Sequence, residues 1–306
     1  MNIGYPYKSG VFDKSNIPNE RYAFMDPTIT LLGTGGGRHT TMFQARSTGG
    51  FLLQTDGGTL HMDPGPGALT NMCQIGYDLR KTDAVVVSHC HPDHYSDAAS
   101  VIEGMTYGGW VKRGSFYGTK SVIEGHGRLG PCMSQYHMSI EENVSVIAAG
   151  DELEICGVRT SITRADHSDP CNVGFMFHTE NGIFSYVSDT SYSDEIADQY
   201  AGTRVLFLPV TTPDDKRINY HMCTEDAIRF VERVRPELTV FIHLGIVILK
   251  HDADAQARMT QEITGCKVIA GKDLMRIRIG KDSIDIEQLI PNKPEWNDAW
   301  NLPEEE

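Results

Sequence analysis

The sequence is short of positive charge: 27 Lys and Arg stand against 41 Asp and Glu, a formal net charge of -14 over 306 residues. That balance offers no broad cationic face to a nucleic-acid backbone, so long RNA or DNA is not an expected partner, while a small phosphate ester stays open. Long apolar runs are missing as well. None approaches the roughly 20 residues that a membrane-crossing helix needs, and no membrane partner is expected. The seven cysteines, at 73, 90, 132, 156, 171, 223 and 266, are odd in number and form no CxxC pair. With a polar start, MNIGYPYKSGVFDKSN, and no basic and apolar leader, they point to a reducing, cytoplasmic setting and away from a disulfide scaffold or zinc knuckle. A phosphate-cradling loop is also absent. The glycines of LLGTGGG are not followed by Lys-Ser/Thr, and FQARSTGGFLLQT after them lacks an amphipathic helix pattern. They read as a tight turn where a Cβ has no room, with contact to a substrate at the rim as the alternative.

What is present is a series of short apolar strands ending in polar, metal-liking residues. After an irregular lead-in over 1–27, TITLL reads as a buried strand, and GFLLQTDGGTLHMD as a hairpin turned at Asp56-Gly57-Gly58 and ending in Asp63. DAVVV leads into SHCHPDHY, and HYSDAASVIEGM reads as a helix. The glycine- and aromatic-rich stretch from Thr106 to His137 reads as loops and short strands, a candidate wall or lid for a pocket. Further strands deliver His167, Asp189 (through a hairpin turned at Asn181-Gly182) and His243. TEDAIRFVERVRPEL reads as a helix with Thr224 as N-cap, Ile228, Val231 and Val234 on its apolar face and Pro236 as its stop. Strands first, then helix and strand alternating, predict an α/β fold of two mixed sheets packed face to face with helices outside, spanning 28–285 as one domain, with 286–306 as a tail.

The hexapeptide HCHPDH concentrates four ligand-type groups, His89, His91, Asp93 and His94, at the end of a buried strand. Uncoordinated, they would be desolvated without a common partner. Side-chain alternation lets His89 and His91 face one way, and Pro92 turns the chain before Asp93 and His94. The four groups then divide between two ions: His89 and His91 with His167 on the first, Asp93 and His94 with His243 on the second, Asp189 bridging. Imidazole and carboxylate without thiolate suit two divalent ions, zinc foremost, with manganese or iron accepted. A water shared between such ions is acidified toward hydroxide near neutrality, the nucleophile of two-metal hydrolysis. Cys90, alternating away from its neighbours, is assigned to packing.

On these residues the chain resembles the metallo-β-lactamase fold superfamily of binuclear hydrolases, whose HxHxDH motif is here His89, His91, Asp93 and His94. The resemblance covers roughly 28–280. It implies a four-layer αββα sandwich, the third-motif histidine at His167, the bridging aspartate at Asp189, the last ligand at His243, and Asp63 as an aspartate that orients the HxHxDH loop without binding metal. LLGTGGG, and His221 placed 22 residues before His243, resemble the phosphodiesterase branch that includes tRNA 3′-processing enzymes and cyclic-phosphate phosphodiesterases. Asp93 and His221 are the expected catalytic residues, His221 near the scissile phosphate. The 22 residues from His167 to Asp189 leave no place for the tRNA-clamping arm of those processing enzymes, and there is no N-terminal cysteine cluster of the phosphonate enzymes.

The expected activity is therefore hydrolysis of a small organic or cyclic phosphodiester. Lactone, ester or thioester hydrolysis is the alternative, tRNA 3′ processing and a non-enzymatic metal protein more remote ones. His126 and His137 are left as exposed residues that could enter the pocket. The aromatic-rich middle segment and the two tryptophans of PNKPEWNDAW suggest a homodimer.

Overall fold

TITL, the first apolar run after the lead-in, is strand β1 (Thr28–Leu31), all four residues buried. A computed structural model of the protein describes residues 26–292. The expected tail tryptophans, and with them half the argument for a homodimer, lie outside the described residues, as does nearly all of the expected lead-in.

Strands β2 (Phe51–Thr55) and β3 (Gly58–Met62) make the expected hairpin, with Thr55 opposite Gly58 across Asp56-Gly57. Strands β4 (Ala84–Val87), β5 (Ser115–Thr119) and β6 (Asn143–Ile147) follow, each parallel to its predecessor. The chain then builds a second sheet from β7 (Glu152–Ile155), β8 (Val158–Arg164), β9 (Val173–Thr179), β10 (Gly182–Tyr186), β11 (Thr203–Pro209), β12 (Leu238–Ile242) and β13 (Lys267–Ala270). Strands β14 (Met275–Ile279) and β15 (Ile284–Gln288) return to the first sheet, and β15 runs across the boundary expected at 285. The result is an eight-stranded sheet, β15-β14-β1-β2-β3-β4-β5-β6, facing a seven-stranded one, β13-β12-β11-β10-β9-β8-β7. In the second, β10 to β13 run parallel.

Three apolar layers hold the sandwich together. Between the sheets lie Leu53, Leu60 and Val86 from one side and Phe175, Phe184, Phe207 and Val240 from the other. Phe51 stacks on Phe207 at 5.9 Å and meets Tyr186 edge-on at 5.3 Å. Each such fully buried aromatic contributes about 1.5–3 kcal/mol by leaving water. The helices are α1 (Arg38–Phe43), α2 (Ala68–Gln74), α3 (Pro92–Tyr95), α4 (Ala98–Met105), α5 (Lys120–Ile123), α6 (Gln135–Ile140), α7 (Asp194–Asp198), α8 (Thr224–Val234), α9 (Ile246–Lys250) and α10 (Ala253–Thr264). Met72 of α2, Val101 and Met105 of α4 and Val122 of α5 cover the outer face of the first sheet. Ile196 of α7, Phe230 and Val231 of α8 and Ala257 of α10 cover that of the second. This is the expected four-layer αββα order.

Local expectations were off in two places, the α8 cap and the β9–β10 turn. Helix α8 is capped by Cys223, whose amide reaches Asp226 Oδ2 at 3.4 Å; Thr224 is already helical and its hydroxyl turns to the Thr212 carbonyl at 3.5 Å. The β9–β10 turn is Glu180-Asn181, one residue earlier than expected, since Thr179 pairs with Gly182. A six-residue helix, α1, follows the glycines directly. The stretch 106–137 holds loops and a short strand, as expected; that strand, β5, is interior between β4 and β6, with Phe116 and Gly118 paired on both sides. No helix among the described residues is long and apolar enough to cross a membrane.

One buried group works against this fold. Glu141, at the end of α6, is 2% exposed and neither carboxylate oxygen has a hydrogen-bond partner. Burial raises its pKa to about 8 against a weaker pull from Arg113. The folded state thus holds a proton that the unfolded chain releases near its ordinary value, so stability falls as pH rises from about 4.5 to about 8. Glu141→Gln is expected to raise Tm by on the order of a few degrees at pH 8 and to change it little at pH 4.5, read by thermal unfolding.

Candidate metal centre

The ligand-type residues sit at the carboxyl ends of strands, where both sheets open along one edge. Val86 accepts the amide of Asp63 at 2.8 Å, so the end of β3 is locked beside the end of β4, from which His89 and His91 project. His89 Nε2 and His91 Nδ1 converge to 3.0 Å, and His167 Nε2, beyond β8, comes within 3.1 Å of the same His91 nitrogen. Asp189 Oδ2, beyond β10, lies 3.9 Å from both His89 Nε2 and His167 Nε2. On the other side of Asp189, His94 Nε2 is 3.5 Å and His243 Nε2 3.0 Å from Oδ2, while Asp93 Oδ2 is 3.4 Å from His243 Nε2. Two ligand sets therefore share one carboxylate. Atoms of His89, His91, His167 and Asp189 all lie within 4.8 Å of one another, as do those of Asp93, His94 and His243.

The fit to metal rests on what these atoms lack. His94 Nε2, His243 Nε2 and Asp189 Oδ1 are buried without a hydrogen-bond partner. The 3.0 Å approach of His243 to Asp189 does not have hydrogen-bond alignment. Orphaned buried nitrogens and a carboxylate are costly in a protein interior unless a cation completes them. The all-N/O donor set fits divalent zinc, manganese or iron alike.

Partners behind the ligands fix which ring nitrogen faces inward. His94 Nδ1 donates to Asp63 Oδ2 at 2.9 Å. Ser88 Oγ donates to the same oxygen at 2.7 Å and so accepts from His89 Nδ1 at 3.0 Å. His167 Nδ1 donates to the Tyr220 carbonyl at 3.2 Å, and His243 Nδ1 lies 3.1 Å from the Thr211 hydroxyl. In each case Nε2 is left free for an ion, the arrangement outer partners give to metal-binding imidazoles. Asp93 Oδ2 accepts the Gly37 amide at 2.9 Å. Asp63 and His243 are both held at positive φ, 49° and 51°, where non-glycine residues are rare. The glycine turn has its reason here: a Cβ on Gly36 would lie 2.1 Å from the His243 ring, so only glycine lets that histidine stand where it does.

All seven expected ligand residues are thus brought together, and His221 with them. Its Nε2 is 3.5 Å from Asp189 Oδ2, its Nδ1 donates to the Asn219 carbonyl at 3.0 Å, and its ring is partly exposed. The other two histidines are elsewhere: His137 pairs with Glu103 at 3.1 Å, and His126 closes a small turn with Leu129. Cys90 packs away from the centre, as expected. Sequence reasoning missed Asp169. Fully buried, it accepts from the amides of Cys90 and Cys171 at 2.9 Å each and from Ser121 Oγ at 2.6 Å, tying the HxHxDH loop to the His167 loop. It missed Tyr186 too, whose hydroxyl donates to Asp63 Oδ2 at 2.7 Å. The position of Asp169, two residues after a ligand, was the available signal for the first.

The pattern of the Beta-lactamase superfamily domain matches residues 59–244, which hold all seven expected ligand residues. The chain belongs to that superfamily. A protein of Methanocaldococcus jannaschii, itself uncharacterised, is 34% identical over 253 residues, 82% of this chain and 94% of its own. A ribonuclease Z of Kineococcus radiotolerans is 27% identical over 158 residues, and the chain spans about half of that relative's length, 48%. Among solved structures, the metallo-β-lactamase fold protein YhfI of Bacillus subtilis superposes with a TM-score of 0.69 at 20% identity, covering 82% of this chain and 99% of that one. A diphosphatase of the PhnP family does so at 0.62 and 18%, covering 83% and 98%. With its two ligand sets, the chain is a metal-dependent hydrolase of the metallo-β-lactamase superfamily.

Without ions, the centre divides its protons unevenly. Burial, reinforced by neighbouring imidazoles, holds His89 well below the usual histidine range; burial is likewise the main cause that lowers His167, to about 4. Burial also pulls on His243, but Asp189 and Asp93 outweigh it and hold the imidazole up at about 9. Its ion-pair stabilisation of the apo fold is therefore complete below its ordinary 6.5 and is lost as pH rises through about 9. An ion must displace that proton. Zinc uptake by apo protein at pH 7 is expected to release protons, with affinity strengthening up to about pH 9. Titration calorimetry in buffers of different ionisation enthalpy checks it, and buffer-independent heats would contradict it.

Proposed function

We propose that the chain is a two-metal phosphodiesterase for a small organic or cyclic phosphodiester. His89, His91 and His167 hold one ion, Asp93, His94 and His243 the other, and Asp189 both, with zinc as the resident metal. The observation that carries the reading is His221: a partly exposed imidazole 3.5 Å from the shared carboxylate, whose Nδ1 is already committed to the Asn219 carbonyl. Its Nε2 is thus placed beside the centre on a partly exposed ring, within reach of a scissile group held there.

Bound ions supply Lewis acidity and lower the pKa of a water toward neutrality. The chain's own residues do the rest. Asp93 keeps its ligand oxygen aimed through the Gly37 amide, and Asp189 orders both clusters about one atom. His221 donates from Nε2 to the leaving oxygen, a general-acid contribution of about 10²–10⁴-fold. A small substrate is favoured by the short span from His167 to Asp189, filled by the β9–β10 hairpin, and by the acidic charge. The half-length likeness to ribonuclease Z makes precursor tRNA the necessary comparison substrate.

Protein purified without chelator is expected to carry two transition-metal ions per chain, and His91→Ala to lose most of one, by elemental analysis. Zero metal with activity intact in chelator would refute the centre. His221→Ala is expected to keep both ions and lose about 10²-fold or more in diesterase turnover; loss of an ion instead would make His221 a ligand. Across bis-aryl phosphates, cyclic nucleotides, lactones, thioesters and precursor tRNA, the highest kcat/KM is expected on a compact phosphodiester. Turnover confined to lactones or thioesters, or faster on tRNA, would overturn the substrate class.

A further inference from the structure

Cys90 stands between two metal-ligand histidines but takes no part in the centre. Its side chain is buried, 8% exposed, in the apolar layer under α2 and α4. There its Sγ lies 2.9 Å from Sγ of Cys132, which is partly exposed. Carbon atoms, smaller than sulfur, normally pack at about 3.5–4.0 Å. Neither sulfur is on a free segment. The Cys90 amide is held by Asp169 Oδ2 at 2.9 Å, and the Cys132 amide donates to the Val122 carbonyl at 2.9 Å. Both are free thiols in this structure.

We propose that Cys90 and Cys132 form a modification site, a dithiol that hydrogen peroxide converts to a disulfide. The partly exposed Cys132 sulfur attacks the peroxide oxygen, breaking the O–O bond and giving a sulfenic acid and one water. The Cys90 sulfur then attacks the Cys132 sulfur, forming the S–S bond and expelling the second water. Two electrons pass from the thiol pair to the peroxide, and both thiol protons leave in the waters. The bond needs the sulfurs to close to ~2.05 Å, a contraction of less than about 1 Å.

The cross-link joins the peptide between those two histidines to the segment after α5, 42 residues on. It restricts the unfolded loop far more than the folded one. Openings of the ligand loop then become rarer, and with them the escape of bound metal. This second consequence rests on the proposed two-metal centre; the thiol chemistry does not.

The test uses the full-length, metal-loaded protein and hydrogen peroxide in modest excess. Digestion without reductant is expected to yield one peptide joining Cys90 to Cys132, with two fewer titratable thiols, reversed by dithiothreitol and absent in Cys132→Ser. Oxidised protein is expected to surrender metal to excess chelator roughly threefold or more slowly than reduced protein, with no such difference in Cys132→Ser. Oxidation at Cys73 or Cys171 while the pair keeps both thiols would overturn the site. Equal or faster metal loss after cross-linking would overturn the stapling effect. A cross-link in protein that holds no metal would uphold the thiol pair and refute the two-metal reading alone.

Discussion

The Asp63 carboxylate accepts four hydrogen bonds: from the Ser88 amide at 2.7 Å, the Ser88 hydroxyl at 2.7 Å, His94 Nδ1 at 2.9 Å and the Tyr186 hydroxyl at 2.7 Å. These donors come from just past β4, from α3 and from the end of β10, so one buried side chain at the end of β3 clasps both sheets where they open. Through His94 it orients one candidate ligand set, and through Ser88 and His89 the other. A carboxylate with this many donors needs no counter-ion to be content in the interior. It stays a scaffold, leaving Asp93 and Asp189 as the carboxylates of the candidate centre.

Legibility in the sequence followed how local the physics was. The HxHxDH cluster was readable because four ligand-type groups in six residues have no economical solution other than coordination. The β2–β3 and β9–β10 hairpins were readable because Asp-Gly and Asn-Gly dominate tight turns, although the second slipped by one residue. What escaped was decided at long range. Tyr186 reads as a core aromatic of β10 until the fold brings its hydroxyl to Asp63. Asp169 offers only its place two residues after His167 as a signal, and its partners Cys90 and Ser121 are 79 and 48 residues away. Thr224 is the better local cap, yet its hydroxyl was claimed by Thr212 and Cys223 took the role.

The glycine turn after β1 belongs to the same logic. Gly36 and Gly37 serve two residues of one candidate ligand set at once, the first by leaving space for the His243 ring and the second by lending its amide to Asp93. A bridge between Gly35 and Leu244 then stitches the turn to the residue following His243. Strands β1 and β12 are thereby coupled through His243, which is why the early glycines and the late histidine have to be understood together.

Asp63 and His243, both buried and both in the left-handed backbone region, carry a consequence for attempts to toughen the protein. Strain of this kind is worth about 1–3 kcal/mol per residue, and a glycine at either position would relieve it. At Asp63, however, the same glycine would remove the four hydrogen bonds by which the carboxylate clasps the sheets, and at His243 the contacts with Asp189 and Asp93, losses that outweigh the strain relieved. The strained backbone is thus held in place by the side chains it presents, and durable variants have to be sought in the outer helices and sheet edges instead.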